Sequence, residues 1–425
     1  MLPPDHPERI VLAEEVHARP PEALQAPCRA TYVAVLVGVD DRARELAHLI
    51  ALCEQLGAVA PAANARHFSA DLGGLRIKWE RHGEFSGYTF FASGGSAMPF
   101  DEPPVARLPA GWLAAIPGVT IVAAHAELLG AAPQAPDAAM LASHFAGNIV
   151  VGASIGDGAG HAFTDFRVHT DGCARFLVLS REFTPRQAGR TLQRLFEIEA
   201  YRMLALLALP VARSLLPHIV AVEQALAALT GAIASDGGGD DEALLQELTR
   251  LAAEVESGLA ASQFRFGACK AYYELVNTRV TELREQRLPG LQTIEEFMAR
   301  RFMPAVATCS TVSQRLHDLS ERVAQASALL STRVDIARER QNQALLASMD
   351  RRAKLQLRLQ QTVEGLSVAA ITYYVAGVIG YLAKGLKAGG LQIDPDLTVG
   401  LLVPVVAVLV LLGLRRARRH LGRAD

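Results

Sequence analysis

Two uncharged apolar runs near the C-terminus, residues 366–383 and 397–414, constrain this chain more than any other feature. As helix, each makes about 27 Å, close to the thickness of a bilayer's hydrocarbon core. A short polar loop joins them, and Arg415, Arg416, Arg418 and Arg419 close the second. The pattern predicts a membrane hairpin, with everything before about residue 350 a soluble body attached to it.

Charge around the runs sets an expected orientation. Arg351, Arg352, Lys354 and Arg358 precede the first run, and Arg423 adds to the four arginines after the second. The loop between carries only Lys384 and Lys387, against Asp394 and Asp396. Positive residues stay inside. Both termini and the large body are therefore expected in the cytoplasm. Over the full 425 residues the net charge is −2, with 42 Lys and Arg against 44 Asp and Glu. That balance offers nucleic acid no basic field. The five cysteines are odd in number and scattered, so they read as reduced thiols rather than a disulfide framework. The first residues hold no basic stretch leading into an apolar core, and no signal peptide is expected.

The expected fold is α+β. An N-terminal mixed α/β domain covers 1–183, with a buried strand at 31–39, a helix at 42–56, and strands near 66–69, 75–81, 87–93, 119–124, 148–155, 162–169 and 175–179. Leu75, Ile77 and Trp79 alternate with Arg76, Lys78 and Glu80, the period of a half-buried strand. At Thr184-Pro185 a helix begins cleanly. A helical domain follows over 184–290, with helices at 185–209, 212–234 and 242–288 and a flexible linker at 235–241. A long stalk helix over 291–365 then runs into the hairpin at 366–414, and a basic tail ends the chain at 415–425. The stalk is expected to kink at Pro304. Leu316, Leu319, Val323, Ala326 and Leu330 form a coiled-coil-like seam along it.

Candidate chemistry is thin. His82 with Glu84, His125 with Glu127, and Asp165 with Arg167 and His169 each fall at spacing two on an expected strand face. With His17, the residues His82, Glu84 and His169 are candidate ligands for a divalent cation. Alternating charge on a strand is more simply its solvent face, and no specific metal spacing is present. Nucleotide-loop, nucleophile-elbow, dinucleotide and kinase patterns are missing too, so neither an enzyme nor a cofactor is expected. Arg186, Arg190 and Arg194 form a row on one helix face, which reads first as a solvated, paired surface. In the first apolar run, Ser367, Ala370, Tyr374, Gly377 and Tyr381 share a face. It suits either a pore in an oligomer or packing against the second run.

Several stretches carry a resemblance: 15–20 (EVHARP), 75–82 (LRIKWERH) with Glu84-Phe85, 164–169 (TDFRVH), 185–189 (PRQAG) and 349–360 (MDRRAKLQLRLQ). On these the chain resembles the bacterial family called domain of unknown function 3422, uncharacterised membrane-anchored proteins. The order of segments is also similar to CorA-type magnesium transporters, which are pentamers with the first span lining the pore. Where those carry Gly-Met-Asn, this chain reads Gly380-Tyr381-Leu382. The resemblance implies a homo-oligomer in the lipid bilayer, acting on inorganic ions as a channel or transporter with a cytosolic regulatory domain. A membrane-tethered scaffold or regulator is the other expectation.

Overall fold

A computed structural model describes residues 3–15, 20–130, 137–235, 240–390 and 394–421. Two compact units, Met1–Ser327 and Ala328–Asp425, divide the chain.

The fold is α+β, and the first unit is organised by a nine-stranded mixed sheet. In chain order come helix α1 (Arg9–Glu15), strand β1 (Cys28–Leu36), helix α2 (Arg42–Gln55), β2 (His67–Asp71), β3 (Leu75–Arg81), β4 (Phe85–Ser93), β5 (Val119–Gly130), helix α3 (Ala138–His144), β6 (Val151–Ile155), β7 (Gly160–Thr164) and β8 (Ala174–Ser180). Helices α4 (Pro185–Leu206), α5 (Ala208–Ala234) and α6 (Asp241–Leu283) follow. Strand β9 (Gln286–Arg287) then returns to pair with β6. The sheet order is β2-β3-β4-β1-β5-β8-β7-β6-β9. Tight hairpins such as β3–β4 and β6–β7 run antiparallel, whereas β5 and β8, separated by α3 and two strands, run parallel.

One sheet face packs on α2. Leu46, Leu49, Leu52 and Cys53 of the helix meet Val33, Val35, Ile77, Trp79, Tyr88 and Phe90 of the strands. A smaller cluster under α3 joins Leu141 and Phe145 to Phe163, Leu177 and Leu179. Helix α4 covers the opposite face, with Phe196 stacked on Tyr32 and edge-on to Phe176. Its start is the expected one. Thr184 caps the N-terminus, Gln187 completes a capping box, and Pro185 occupies the first turn. Gly189 lets the helix settle, because a β-carbon there would lie 1.7 Å from the carbonyl oxygen of Glu22.

Several boundaries differ from the sequence reading. The first long helix ends at Leu206, so Pro210 falls in the first turn of α5, where no intrahelical N–H is lost. Residues 236–239 of the expected linker lie outside the described residues, while Asp240 caps α6. Helix α6 ends at Leu283, where Arg284 turns left-handed at φ 51°. After α7 (Ile294–Phe297) comes a π-helical turn, Met298–Phe302, and then α8 (Met303–Ala388). The π turn sits beside Pro304, where an ordinary α-helical ladder would clash with the proline ring. The expected seam is an internal core: Leu316, Leu319, Val323 and Ala326 are buried. Arg315 pairs with Glu223 of α5 at 2.7 Å, and Leu316 and Leu215 both approach Gly258 of α6.

In the second unit α8 continues to Ala388, past the expected end of the first run. It stops where Gly389 and Gly390 follow, Gly390 with φ 103°. Helix α9 (Pro395–Leu421) forms the return. Gly380 packs against Val399, its would-be β-carbon 3.4 Å from the valine methyl. Ser367 and Thr372 donate hydroxyls to the backbone oxygens of Val363 and Val368, at 2.9 and 2.8 Å, which satisfies both within the helix.

Replacing Gly189 by alanine is expected to destabilise the first unit by about 1–3 kcal/mol through overpacking against the Glu22 carbonyl. Thermal unfolding of the detergent-solubilised chain checks this, and an unchanged melting temperature would contradict the close approach.

Candidate functional site

The face of β3 expected to be wet is covered. Lys78 and Glu80 lie under α4, paired at 3.1 Å with side chains only 8% and 13% exposed. Lys78 also donates to Gln193 at 3.2 Å, and Gln193 donates to Glu197 at 2.7 Å. Glu197 pairs with Arg279 of α6, and Arg279 and Arg194 both reach Glu282, at 3.0 and 2.9 Å. A polar seam thus runs from the sheet through α4 to α6. It encloses a cavity of about 20 Å³ lined by Tyr32, Lys78, Glu80, Gln193, Glu197 and Tyr201 among others. That volume admits a single water and no organic substrate.

The candidate metal ligands do not converge. His82 and Glu84 sit in the β3–β4 turn, not on a strand face, because β3 ends at Arg81 and β4 begins at Phe85. His82 stacks on Phe85 at 4.3 Å. Glu84 takes Arg265 of α6 at 2.6 Å and the hydroxyl of Tyr272 at 3.3 Å. Burial and Glu84 push the Tyr272 phenol up to about 12. Strand β7 ends at Thr164, and Phe166 turns left-handed at φ 51°, so Asp165, Arg167 and His169 also leave the expected strand face. His169 pairs with Asp165 at 2.9 Å. His125 and Glu127 do share a face of β5, but both are buried. His125 meets the Thr31 hydroxyl at 2.9 Å; Glu127 accepts from Ser96 at 2.7 Å and from the Phe100 amide at 3.2 Å. Burial lowers the His125 pKa and raises that of Glu127. His17 lies outside the described residues. Among the described residues no group of three or more His, Cys, Asp or Glu gathers in a metal-binding arrangement.

Glu45 escapes a sequence reading. It is wholly buried, and it accepts from Trp79 Nε1 at 3.0 Å, from the Tyr88 hydroxyl at 2.9 Å and from Arg81 at 3.3 Å. A glutamate beside Leu46 on a helix reads as surface, and only the strand partners of α2 reveal its place. The arginine row on α4 divides similarly, since Arg194 joins the seam through Glu282.

The thiols are all buried. Burial pushes Cys28 and Cys173 up to about 11. The neighbouring Cys309 thiol of α8 and burial push the Cys269 thiol of α6 up. Both line a cleft of about 850 Å³ with Tyr273, Met303 and His317.

Three helices among the described residues are long and apolar enough to cross a membrane: Pro185–Ala234, Ile294–Ala388 and Pro395–Gly413. The first spends apolar surface on the sheet and on α6. The apolar windows of the other two are only 6% and 0% buried, a bare surface that a bilayer would cover. Within the hairpin, Ala370, Tyr374, Gly377 and Tyr381 are exposed, so they are not the face that packs on α9. Ser367 is half-buried beside Val368, and Thr372, Ala376, Ile379, Gly380 and Ala383 continue the covered side. Arg351, Arg352, Lys354, Arg358 and Arg416 are exposed on their helices, whereas the side chains of Arg415, Arg418 and Arg419 lie outside the described residues.

A mixed-sheet body with a polar interior latch, joined in sequence to a C-terminal apolar helical hairpin, defines the class of protein. The chain belongs to the family described as "Protein of unknown function (DUF3422)", whose model matches residues 4–421. No curated protein and no solved structure matches it. The likeness to CorA-type transporters therefore rests on segment order alone.

Removing Glu45 leaves Arg81 without its buried carboxylate, so Glu45→Ala is expected to cost about 3–5 kcal/mol of stability in denaturant titration. Thiol labelling tests the burial. At about pH 8, Cys28 and Cys173 of the folded protein remain unmodified, because a raised pKa keeps them protonated, and denaturant makes all five cysteines reactive.

Proposed function

We propose that the protein is a membrane-tethered scaffold or regulator that works through self-association of its stalk, with the body on the cytoplasmic side of a bacterial inner membrane. The observation that carries this reading is the second unit's part of α8. Every residue from 335 to 363 is exposed. That stretch carries Leu345 and Met349 at 62% and 60% exposure, then Leu355, Leu359 and Val363 at 59%, 69% and 58%. The last three and Leu366 follow 4–4–3 spacing, one helical stripe. Helices of this length that bury nothing are stabilised by pairing. The partners in this reading are the bilayer and further copies of the chain, and neither nucleic acid nor catalysis is involved. Lysines and arginines on both flanks of the hairpin support the orientation.

A second reading, a divergent CorA-like conduit for inorganic ions, draws on one observation. Ala370, Tyr374, Gly377 and Tyr381 face away from α9, where a ring of copies would turn them toward an axis. A single hairpin encloses no pore.

Light scattering of the detergent-purified chain is expected to give more than one copy per particle. The double variant Leu355→Glu, Leu359→Glu is expected to reduce it to a monomer without changing the melting temperature of the body. A monomeric wild-type chain would sink both readings. In liposomes no ion flux is expected, and flux abolished by Gly377→Leu would replace the scaffold with the conduit.

A further inference from the structure

The body carries a cluster of cations that the polar seam does not use. A pocket of about 380 Å³ is lined by Arg42, Arg66, Arg81, His82 and Gly83, with no carboxylate among the described lining residues. It lies at the low end of small-ligand volumes, roughly 300–1,000 Å³. Three separate stretches of the chain build it. Arg42 opens helix α2, Arg66 directly precedes β2, Arg81 ends β3, and His82 with Gly83 makes the β3–β4 turn.

The side chains of Arg42 and Arg81 and the backbone of Arg66 are held in place. Arg42 donates to the Gly83 carbonyl at 2.7 Å, tying the helix start to the turn. Arg81 stacks over Trp79 at 4.9 Å and donates to the Arg42 carbonyl at 3.1 Å and to Glu45. The Arg81 amide donates to the Arg66 carbonyl at 2.7 Å, fixing the third corner. Of the nearby acids, Asp41 pairs with Arg44, and Glu45 accepts from Trp79 and Tyr88 as well as from Arg81. The Nε of Arg81 is buried and meets no hydrogen-bond partner among the described residues.

We infer that the Arg42, Arg66 and Arg81 pocket binds the phosphate group of a small molecule, or inorganic phosphate itself. Three guanidinium groups against one buried carboxylate leave an excess of two positive charges, matching a dianion. Planar guanidinium forks suit the paired oxygens of phosphate better than a halide. The site is independent of the stalk and makes the body a receptor for a phosphorylated ligand.

Calorimetry on the full-length detergent-purified chain tests this with three probes, inorganic phosphate, glucose 6-phosphate and adenosine monophosphate, each against a background of sodium chloride. At least one is expected to bind with a single site. Binding of inorganic phosphate at least as tight as the esters assigns the free ion, and tighter binding of one ester assigns a phosphorylated small molecule. Arg66 is exposed, so Arg66→Gln is expected to keep the unliganded melting temperature and to weaken binding about tenfold or more. Arg42→Gln gives an independent second loss, and Arg322→Gln, an exposed arginine of α8 outside the pocket, leaves affinity unchanged. No binding by any probe, or binding that Arg66→Gln and Arg42→Gln leave intact, overturns the assignment.

Discussion

Helix α4 can lie on the sheet because residue 189 has no side chain. The Glu22 carbonyl occupies the space a β-carbon would need, and the Leu24 amide bonds the Pro185 carbonyl at 2.9 Å just beside it. With the helix seated this close, Phe196 reaches Tyr32 and Phe176, and the second face of the sheet is sealed. Sealing that face has a consequence for β3. Its charged side, which a lone hairpin would show to water, is shut under a helix, and each charge then requires a partner.

The partners come from the helices. Lys78 and Glu80 pair with each other and reach Gln193, Glu197 carries the chain of contacts to Arg279, and Glu84 at the neighbouring turn takes Arg265 and Tyr272. The seam fixes α6 relative to the sheet through directional contacts, where apolar packing alone would permit sliding. Buried ion pairs of this kind add little net stability, because desolvation offsets their attraction. Their physical value here is registry between three layers. Glu45 plays the same part on the other face, where one carboxylate holds Trp79, Tyr88 and Arg81 around α2.

Most elements were legible from periodicity. The strands at 75–81 and 175–179, the helix at 42–56, the capped start at Thr184-Pro185 and the C-terminal apolar helices all appear where the pattern places them, within a few residues. The candidate site was much less legible. His82, Glu84 and His169 look like strand ligands only if their strands run on, and turns intervene at both places. Lys78 and Glu80 look solvated because alternation records one buried face and is silent about a helix that arrives from a hundred residues later. The arginine pocket has no local signature at all, since Arg42, Arg66 and Arg81 are separated in sequence and meet through strand pairing and a turn.

The sequence by itself determined the α+β class, the capped helix start at Thr184-Pro185, the bare apolar hairpin and the uneven basic flanks. These follow from local rules: hydrophobic period, capping chemistry, helix length and charge counting. Tertiary structure alone decided which polar residues are buried and with whom, that the seam through Leu316 and Val323 is an internal core, and that Tyr374 and Tyr381 point away from the second helix of the hairpin. Those outcomes depend on which faces meet, and a contact between residues distant in the chain leaves no trace in the local pattern of either.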